Sequence, residues 1–340
     1  MIGRSGETFI IAELSANHNQ DFALAVKTIE AAKNAGADAI KLQTYTADTM
    51  TIDSDKDYFK ITQGTLWDGK TLYGLYQEAF TPWEWQPRLK KIADELGLIL
   101  FSSPFDRTAV DFLEKMNVPA YKVASFEITD IPLIEYIAAK GKPVIISTGI
   151  AELPDIEEAL AACRRVGNKQ IALLKCTSAY PAPMGEVNLK TIPDMFEKFG
   201  TVVGLSDHTL GISVPVAAVS LGARIIEKHF ILDRNLGGPD AAFSIEPEEL
   251  KTMVQAIRDV EKALGKVSYE LSDRIRKNKV FARSLFVVQN MKRGERFTGD
   301  NVRSIRPGYG LAPKHLDRII GKQASRDLQK GTPLDWDMIE

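Results

Sequence analysis

Short apolar runs, each ending in polar residues, alternate with segments of helical periodicity along the first 265 residues of the chain. Apolar runs of this length bounded by polar clusters are typical of buried strands, and apolar positions three and four apart are typical of helices. Eight such runs predict strands at residues 9–14, 39–44, 98–103, 120–125, 143–148, 171–177, 202–209 and 224–230. Helical segments are predicted between them, and the last one covers residues 248–264, before Gly265.

Strand number and segment length together favour one fold class. Eight strands alternating with helices over about 265 residues match a (β/α)8 TIM barrel. A doubly wound open sheet is the alternative, but the chain lacks the glycine-rich phosphate fingerprint that usually accompanies it. We therefore predict an α/β protein built on a TIM barrel.

The alternating pattern is interrupted in two places. Residues 47–68 form a polar insertion with aromatic residues, followed by predicted helices at 72–80 and 83–96. After residue 266 the composition changes to a polar, charged linker at 267–281 and then to short strands with frequent turn residues at 282–340. The predicted organisation is a barrel over 1–266, a linker, and a small, mostly β domain over 282–340.

Composition excludes several classes of protein. The 340 residues are 44% hydrophobic with a formal net charge of −2, which is typical of a globular protein and gives no sign of a nucleic-acid or membrane surface. No apolar run approaches the length of a membrane span, and a strand predicted so near the first residue leaves no room for a signal peptide. Cys163 and Cys176 are expected to be reduced core residues, so we expect a cytoplasmic protein.

Two of the four histidines lie at matching positions at the ends of consecutive predicted strands. The segments VVGLSDHT (202–209) and RIIEKHF (224–230) end in His208 and His229 plus neighbouring polar residues. Because parallel strands end at the same edge of a sheet, the two imidazoles are expected to converge there. They could hold a divalent metal with open coordination positions. The alternative is that each is a hydrogen-bonded core residue.

Every predicted strand carries polar residues at its carboxyl end, where barrel enzymes place their active sites. These residues are Glu13, Lys41, Gln43, Ser102, Ser103, Lys122, Ser125, Ser147, Thr148, Thr177, Ser178, Ser206, Asp207, His208, Glu227 and His229. Lys41 and Lys122 lie within apolar runs, and a buried ammonium needs an anionic partner. The surrounding hydroxyls favour phosphate or carboxylate oxygens of a ligand, and the residues 147–149 would add backbone N–H groups near a helix start. The alternative is a structural network with Glu13 or Glu227.

The motifs, taken in order, resemble those of the sialic acid synthase family. They are AELSANH, KLQTYTADT, SSPF, YKVAS, STG, KCTSAYP, GLSDHT, EKHF and GGPD, and the tail segments KRGERF and RPGYG resemble the family's antifreeze-like (SAF) domain. The resemblance covers the whole chain. It implies a transferase that condenses phosphoenolpyruvate (PEP) with the open aldehyde form of an amino sugar and releases phosphate. It also implies a divalent metal, Mn²⁺ with Mg²⁺ or Co²⁺ as alternatives.

The resemblance also implies roles for individual residues. The implied catalytic residues are Glu13, Lys122, His208 and His229, with the two histidines as metal ligands. The implied PEP-binding residues are Lys41, Ser103, Lys122, Ser125, Ser147, Ser178 and Ser206. Ser178 departs from the asparagine that the family often has. The implied sugar-binding residues are Gln43, Tyr180, Asp240 and Arg306. Arg306 corresponds to an arginine that the tail domain inserts into the partner subunit's site, so a domain-swapped homodimer is expected.

The insertion resembles that of the branch of the family that makes pseudaminic acid from 2,4-diacetamido-2,4,6-trideoxy-L-altrose. The alternatives within the family are N-acetylneuraminic acid synthesis from N-acetylmannosamine and legionaminic acid synthesis. A Schiff-base aldolase using Lys122 or Lys175 is the main mechanistic rival. A sugar-binding protein without catalytic activity is the rival from outside the enzymes, and the lysine and serine set at the strand ends disfavours it.

Overall fold

The structure is a computed structural model that describes residues 6–340. The chain divides into two compact units, Met1–Gly265 and Lys266–Glu340. Within residues 6–340, no helix has both the length and the apolar content that crossing a membrane would require. Both cysteines are buried and free.

The first unit contains a closed barrel of eight parallel strands. The strands are β1 Phe9–Glu13, β2 Ala39–Thr44, β3 Ile99–Pro104, β4 Tyr121–Val123, β5 Val144–Ser147, β6 Ile171–Cys176, β7 Val202–Asp207 and β8 Ile225–His229. Each strand pairs with the next, and β1 pairs with β8 to close the barrel. The predicted TIM barrel is therefore confirmed.

Helices follow the barrel strands as predicted, and the longest one comes after the last of them. They are α1 Phe22–Asn34, α2 Ala47–Met50, α3 Leu72–Ala79, α4 Gln86–Glu95, α5 Arg107–Lys115, α6 Ile131–Ala138, α7 Leu153–Arg165, α8 Thr191–Phe199, α9 Ser213–Ser220 and α10 Pro247–Leu264. Aspartates begin three of them: the side chains of Asp21, Asp106 and Asp130 accept hydrogen bonds from backbone N–H groups in the first turns of α1, α5 and α6.

Strand register decides which side chains point into the barrel. Residues that pair across neighbouring strands lie on the same face of the sheet, and successive residues alternate between faces. Glu13 pairs with Lys41 on one side and His229 on the other, and Ser206 pairs with Cys176 and Glu227. The alternation thus places a ring of polar side chains inside the barrel near its carboxyl end. The apolar residues of the opposite face pack against the helices in one large core.

The second unit has little regular secondary structure. It contains α11 Asp273–Lys277, the antiparallel strands β9 Ser284–Val287 and β10 Val302–Ile305, and α12 Leu316–Ile319. Its core is formed by Leu285, Val287, Met291, Phe297, Val302, Ile319, Ala324, Leu328 and Leu334. The predicted β character is present mainly as isolated bridges between turns, because frequent turn residues prevent longer ladders.

Candidate active site

A cavity of about 530 Å³ lies at the carboxyl ends of the barrel strands. Most predicted site residues of the barrel line it: Lys41, Gln43, Lys122, Ser125, Ser147, Tyr180, Ser206, His208, His229 and Asp240. Three others contact lining residues from behind. Glu13 and Ser103 contact Lys41, and Ser178 contacts Ser125. The strand register therefore brings the predicted barrel residues together.

Lys41 is buried among two carboxylates and a hydroxyl. Its Nζ lies 2.7 Å from Oε2 of Glu13 and 3.8 Å from Oε2 of Glu227, and it donates a hydrogen bond to Oγ of Ser103 at 3.3 Å. Burial opposes the charge, but the two glutamates raise the pKa of Lys41 above its ordinary value. Lys41 is therefore a stable cation beside the cavity.

Lys122 has a weaker carboxylate contact than Lys41 and bonds instead to one hydroxyl and one backbone carbonyl. Its Nζ donates to Oγ of Ser147 at 2.6 Å and to the carbonyl of Val123 at 3.0 Å. The nearest carboxylate oxygen, Oε1 of Glu227, lies 3.8 Å away. Burial lowers the pKa of Lys122 although Glu227 favours the charged form. An anionic ligand at this point would restore the counter-charge that Lys122 lacks.

The two buried glutamates differ in their tendency to ionise. Burial raises the pKa of Glu13 more than Lys41 lowers it. Burial opposes ionisation of Glu227 as well, but Lys122 and Lys41 lower its pKa below the ordinary value, and Ser206 donates a hydrogen bond to its Oε1 at 2.9 Å. The structural network that was the alternative for the lysines is thus present. It faces the cavity, so it does not exclude an anion-binding role.

The short side chain of Ser178 reaches another serine. Its Oγ is 2.7 Å from Oγ of Ser125. A Cβ on Gly149 would lie 2.0 Å from Ser178 Oγ and 3.0 Å from Cys176 Sγ. Position 149 therefore requires glycine, because this part of the loop after β5 packs directly against the two hydroxyls.

The two histidines converge at the ends of β7 and β8 with their ring centroids 5.5 Å apart. Nδ1 of His208 is 2.9 Å from the carbonyl of Thr177, which leaves Nε2 as the free ring nitrogen. Nδ1 of His229 is buried without a hydrogen-bond partner and lies 3.6 Å from Oδ2 of Asp240. Burial and the charge of His208 hold the pKa of His229 well below its ordinary value, so its imidazole is neutral.

The histidine pair fits the chemistry of a metal site with open positions. The neutral imidazole of His229 suits a divalent transition metal, and its orphaned ring nitrogen indicates a partner from outside the chain. Burial opposes the charge of His208 but Cys176 raises its pKa, so His208 would lose a proton on binding a metal. Among residues 6–340, no group of three or more histidine, cysteine or acidic side chains is arranged to hold a metal. The remaining ligands of an ion bound here would come from water or substrate.

Three further predicted residues line the cavity. Gln43 donates hydrogen bonds to Oε1 of Glu13 and to Oγ of Ser15, each at 3.0 Å. The Tyr180 ring centroid is 4.4 Å from that of His208. Burial raises the pKa of Asp240. These groups present amide, phenol and carboxyl functions beside the histidines, as a polyhydroxylated ligand requires.

The insertion folds over one side of the cavity. It contains α2 and a 3₁₀ turn at Asp57–Phe59, and α3 follows it. The indole of Trp67 donates a hydrogen bond to the carbonyl of Pro239 at 2.9 Å, and its ring lies 5.5 Å from that of Tyr180. Trp67 therefore ties the insertion to the loop after β8.

Glu127, which is absent from the predicted site residues, lines the cavity in a 3₁₀ turn after β4. Its Oε2 is buried without a hydrogen-bond partner. Burial raises the pKa of Glu127 to about 7, against the opposing effect of Lys122. Its position two residues beyond Ser125, the last residue of a predicted strand, was the available signal.

Several other strand-end residues point away from the cavity. Ser102 is hydrogen-bonded to Thr44, and Asp207 forms a buried ion pair with Lys228 at 2.5 Å. Nζ of Lys175 donates to the carbonyl of Cys176. Strand alternation explains these positions, because each follows or precedes an inward-facing residue.

Arg306 lies in the second unit and is exposed. It begins the turn Arg306-Pro307-Gly308-Tyr309-Gly310 that follows β10. Ser284 holds this turn: its hydroxyl donates to the carbonyl of Pro307 at 2.6 Å and accepts from the N–H of Gly310 at 2.9 Å. The turn is therefore fixed to β9 while Arg306 faces outward.

Comparisons with known proteins cover both units. The NeuB family matches residues 28–269 and the SAF domain matches residues 282–340. A pseudaminic acid synthase of Helicobacter pylori is 48% identical, over 97% of each chain. An N,N'-diacetyllegionaminic acid synthase of Legionella pneumophila is 38% identical, over 99% of this chain and 96% of its own.

Among solved structures, an N-acetylneuraminic acid synthetase of Leptospira borgpetersenii crystallised with citrate is 32% identical, with a TM-score of 0.72. The match covers 80% of this chain and 90% of that chain. The similarity to the curated relatives therefore spans nearly the whole chain, and that to the solved structure most of it.

Proposed function

The chain belongs to the NeuB family, and we propose that it condenses PEP with 2,4-diacetamido-2,4,6-trideoxy-L-altrose to give pseudaminic acid and phosphate. The matches to the NeuB family and to the SAF domain confirm the family that the sequence motifs indicated. One observation carries the choice of sugar: full-length identity to a pseudaminic acid synthase is ten percentage points above identity to a legionaminic acid synthase (48 against 38). Synthesis of N-acetylneuraminic or legionaminic acid is the alternative.

PEP would be held by the lysines and hydroxyls at the strand ends, which form the floor of the cavity. The proposed set is Lys41, Ser103, Lys122, Ser125, Ser147, Ser178 and Ser206. Charge-assisted hydrogen bonds from two ammonium groups suit the phosphate and carboxylate of PEP. Lys122 supports this proposal best, because burial lowers its pKa while its nearest carboxylate is 3.8 Å away. A bound anion would satisfy it.

A divalent cation would be held by His208 and His229. We propose Mn²⁺, with Mg²⁺ or Co²⁺ as alternatives. When bound, such an ion supplies a Lewis acid that polarises the sugar aldehyde or positions a water molecule. The neutral imidazole of His229 and its unpartnered ring nitrogen support the proposal.

The reaction forms one carbon–carbon bond and breaks one carbon–oxygen bond. C3 of PEP bonds to the aldehyde carbon, water adds at C2, and the C2–O bond to phosphate breaks. Lys41 and Lys122 would hold PEP in line and stabilise its charge. Glu13, whose pKa is raised, would move a proton to or from the water or the new hydroxyl. Glu127 offers a second carboxyl for the same purpose.

The sugar would be bound by Gln43, Tyr180 and Asp240. In a domain-swapped homodimer, Arg306 of the partner subunit would bind it as well. Loops after four barrel strands expose Phe126, Ile150, Leu210 and Leu236. All four follow the carboxyl ends of parallel strands and so lie at the same end of the barrel as the cavity, and exposed apolar residues gathered at one end of a molecule are typical of surfaces that partners cover. In this proposal residues 267–281 link the two domains, and the enzyme acts in the cytoplasm.

The test is phosphate release from PEP with three sugars side by side. The altrose derivative should be turned over at least a hundredfold faster than N-acetylmannosamine and faster than the manno-configured trideoxy sugar that leads to legionaminic acid. A preference for either of the other sugars would overturn the proposed substrate and leave the family unchanged. Borohydride trapping of a PEP- or pyruvate-derived adduct on Lys122 would favour the Schiff-base mechanism instead.

A further inference from the structure

The cavity has two chemically different sides. Its floor consists of the charged and hydroxyl side chains of the strand ends. The part of the lining here called the apolar wall consists of Met50, Ile61, Leu72, Leu75 and Phe105, which follow the carboxyl ends of β2 and β3 in the chain and so lie beyond the strand ends. Four of these five residues belong to the segment that interrupts the barrel pattern after β2.

The apolar wall is fixed by hydrogen bonds and by burial. The N–H of Ile61 donates to the carbonyl of Lys70, and the N–H of Gly69 donates to the carbonyl of Ile61. The side chain of Thr71 caps α3, which carries Leu72 and Leu75. Ile61 is 6% exposed and Leu75 is 8% exposed. Ile61 and Leu75 are therefore packed in place, and moving either side chain to admit a hydrated group would expose apolar surface.

Polar residues near the wall also line the cavity: Tyr45 and Tyr76 contribute phenol groups, and Gln63 and Thr65 are bound at least in part by neighbours in the loop. Oγ1 of Thr65 donates to Oδ1 of Asp68 at 3.0 Å. Oε1 of Gln63 accepts a hydrogen bond from the N–H of Thr62 at 3.0 Å. Both side chains are exposed. A hydroxyl placed against the five side chains of the apolar wall would lose water without gaining a hydrogen bond from them.

We propose that the apolar wall binds the C6 methyl group of a 6-deoxy sugar and makes the enzyme discriminate against the corresponding 6-hydroxy sugar. The proposal rests on the proposed function for the identity of the sugar. In the open-chain form, the aldehyde carbon must reach the histidines and PEP on the floor. C6 is the opposite end of the carbon chain, so it points away from the floor and toward the wall.

The experiment compares two sugars that differ in one atom, 2,4-diacetamido-2,4,6-trideoxy-L-altrose and its 6-hydroxy counterpart. The measured quantity is the ratio of their kcat/KM values at saturating PEP. An apolar pocket rejects an added hydroxyl by at most about a hundredfold, since the hydroxyl loses solvation but remains small. The native enzyme should therefore prefer the 6-deoxy sugar about ten- to hundredfold.

Two nearly isosteric variants place a polar group in the wall. Leu75→Asn keeps the branched shape, and Met50→Gln keeps the length at a half-buried position. Each should lower the preference at least fivefold, because the amide can hydrogen-bond the C6 hydroxyl. The matched control is Leu66→Asn, an exposed leucine of the same segment outside the cavity lining, which should leave the ratio unchanged. If Leu75→Asn does not fold, Met50→Gln decides.

Equal use of both sugars by the native enzyme, or an unchanged ratio in Met50→Gln, would overturn the wall proposal while the proposed function stands. If the manno-configured trideoxy sugar is the better substrate, the proposed sugar falls. The same ratio, measured on that sugar and its 6-hydroxy counterpart, then tests the wall by itself. Turnover of N-acetylmannosamine alone would overturn both, because that sugar carries a C6 hydroxyl.

Discussion

The two units of this chain bury opposite kinds of side chain. The barrel buries Glu13, Lys41, Lys122 and Glu227, each no more than 5% exposed. In the second unit the core is apolar, and Ser284 is the one polar residue among those that the structure describes as buried there. Ser284 has both hydrogen-bonding roles of its hydroxyl satisfied by the Arg306 turn.

This difference separates the work that each unit can do. Burying a charge costs free energy unless it is paired, and the barrel accepts that cost at the one end where a cavity opens. The low-dielectric floor strengthens every charge interaction with a ligand. A unit whose charges are all at its surface cannot provide such a medium, but it can hold a turn rigidly and present a side chain. Substitutions in the two units should therefore differ in size and in kind.

The largest effect is expected on the barrel floor. His229→Ala or His208→Ala should lower kcat/KM at least a thousandfold and lower the bound metal per chain, because each removes one of two imidazole ligands. Turnover and metal content by elemental analysis are the measurements, with thermal unfolding as a check that the fold is kept.

A histidine of the second unit gives the matched control for this comparison. The His315 ring packs against Trp336, with centroids 5.1 Å apart, so His315→Ala should cost some stability and leave metal content unchanged. Native turnover with native metal content in both floor variants would show that the paired histidines are core residues and not ligands.

The floor could be predicted from sequence because two simple periodicities determine it. Side chains alternate along a strand, and parallel strands of a barrel end at one edge. Polar residues at the ends of the strands that carry Lys41 and Lys122 therefore had to meet. The ion pair between Lys41 and Glu13 follows from the same register. The pattern did not reveal that Ser102 faces outward, since the strand's phase must be known within one residue.

The wall and Glu127 could not be predicted in this way. Ile61 and Leu75 reach the cavity through the path of a loop, a single bridge between Lys60 and Thr71, and a short helix. No periodic signal encodes such a path. Glu127 lies in a 3₁₀ turn just beyond its strand, where the strand rule no longer applies. Loop geometry and burial, which only the fold supplies, determine both.

A smaller effect is expected in the second unit, from Arg306. Arg306→Ala should fold and bind PEP normally but lower kcat/KM for the sugar about a hundredfold, because the planar guanidinium offers paired donors to acetamido and hydroxyl oxygens. Arg303→Ala is the matched control, since Arg303 is also exposed and lies on β10 of the same unit. It should stay within twofold of native activity.

Mixing two inactive variants tests whether Arg306 acts on the partner subunit. Arg306→Ala and Lys122→Ala chains that exchange subunits form heterodimers with one intact site, so part of the activity should return. A mixture that stays inactive after exchange is demonstrated by mass spectrometry would mean that the arginine acts within its own chain or has no catalytic role.

The smallest effect concerns the stability contributed by Glu127, at the border between floor and wall. Its folded-state pKa of about 7 lies above the ordinary glutamate value of 4.5. The folded state therefore binds this proton more tightly than the unfolded state, and stability falls as pH rises from about 4.5 through 7. Glu127→Gln cannot ionise, so it should match the native protein near pH 5 and exceed it by about 2 kcal/mol at pH 8. Two charged groups act on this carboxyl: Lys122 lowers the pKa of Glu127 and Asp130 raises it.

Urea unfolding of the ligand-free enzyme at several pH values measures this difference directly. The exposed Glu186 provides the control, because Glu186→Gln should change stability by less than about 0.5 kcal/mol at every pH. A native-minus-variant difference that does not grow between pH 5 and 8 would mean that the carboxyl of Glu127 is solvated or paired in solution. It would then not be the protonated group beside Lys122 that the proposed mechanism uses, and Glu13 would be left to move the proton alone.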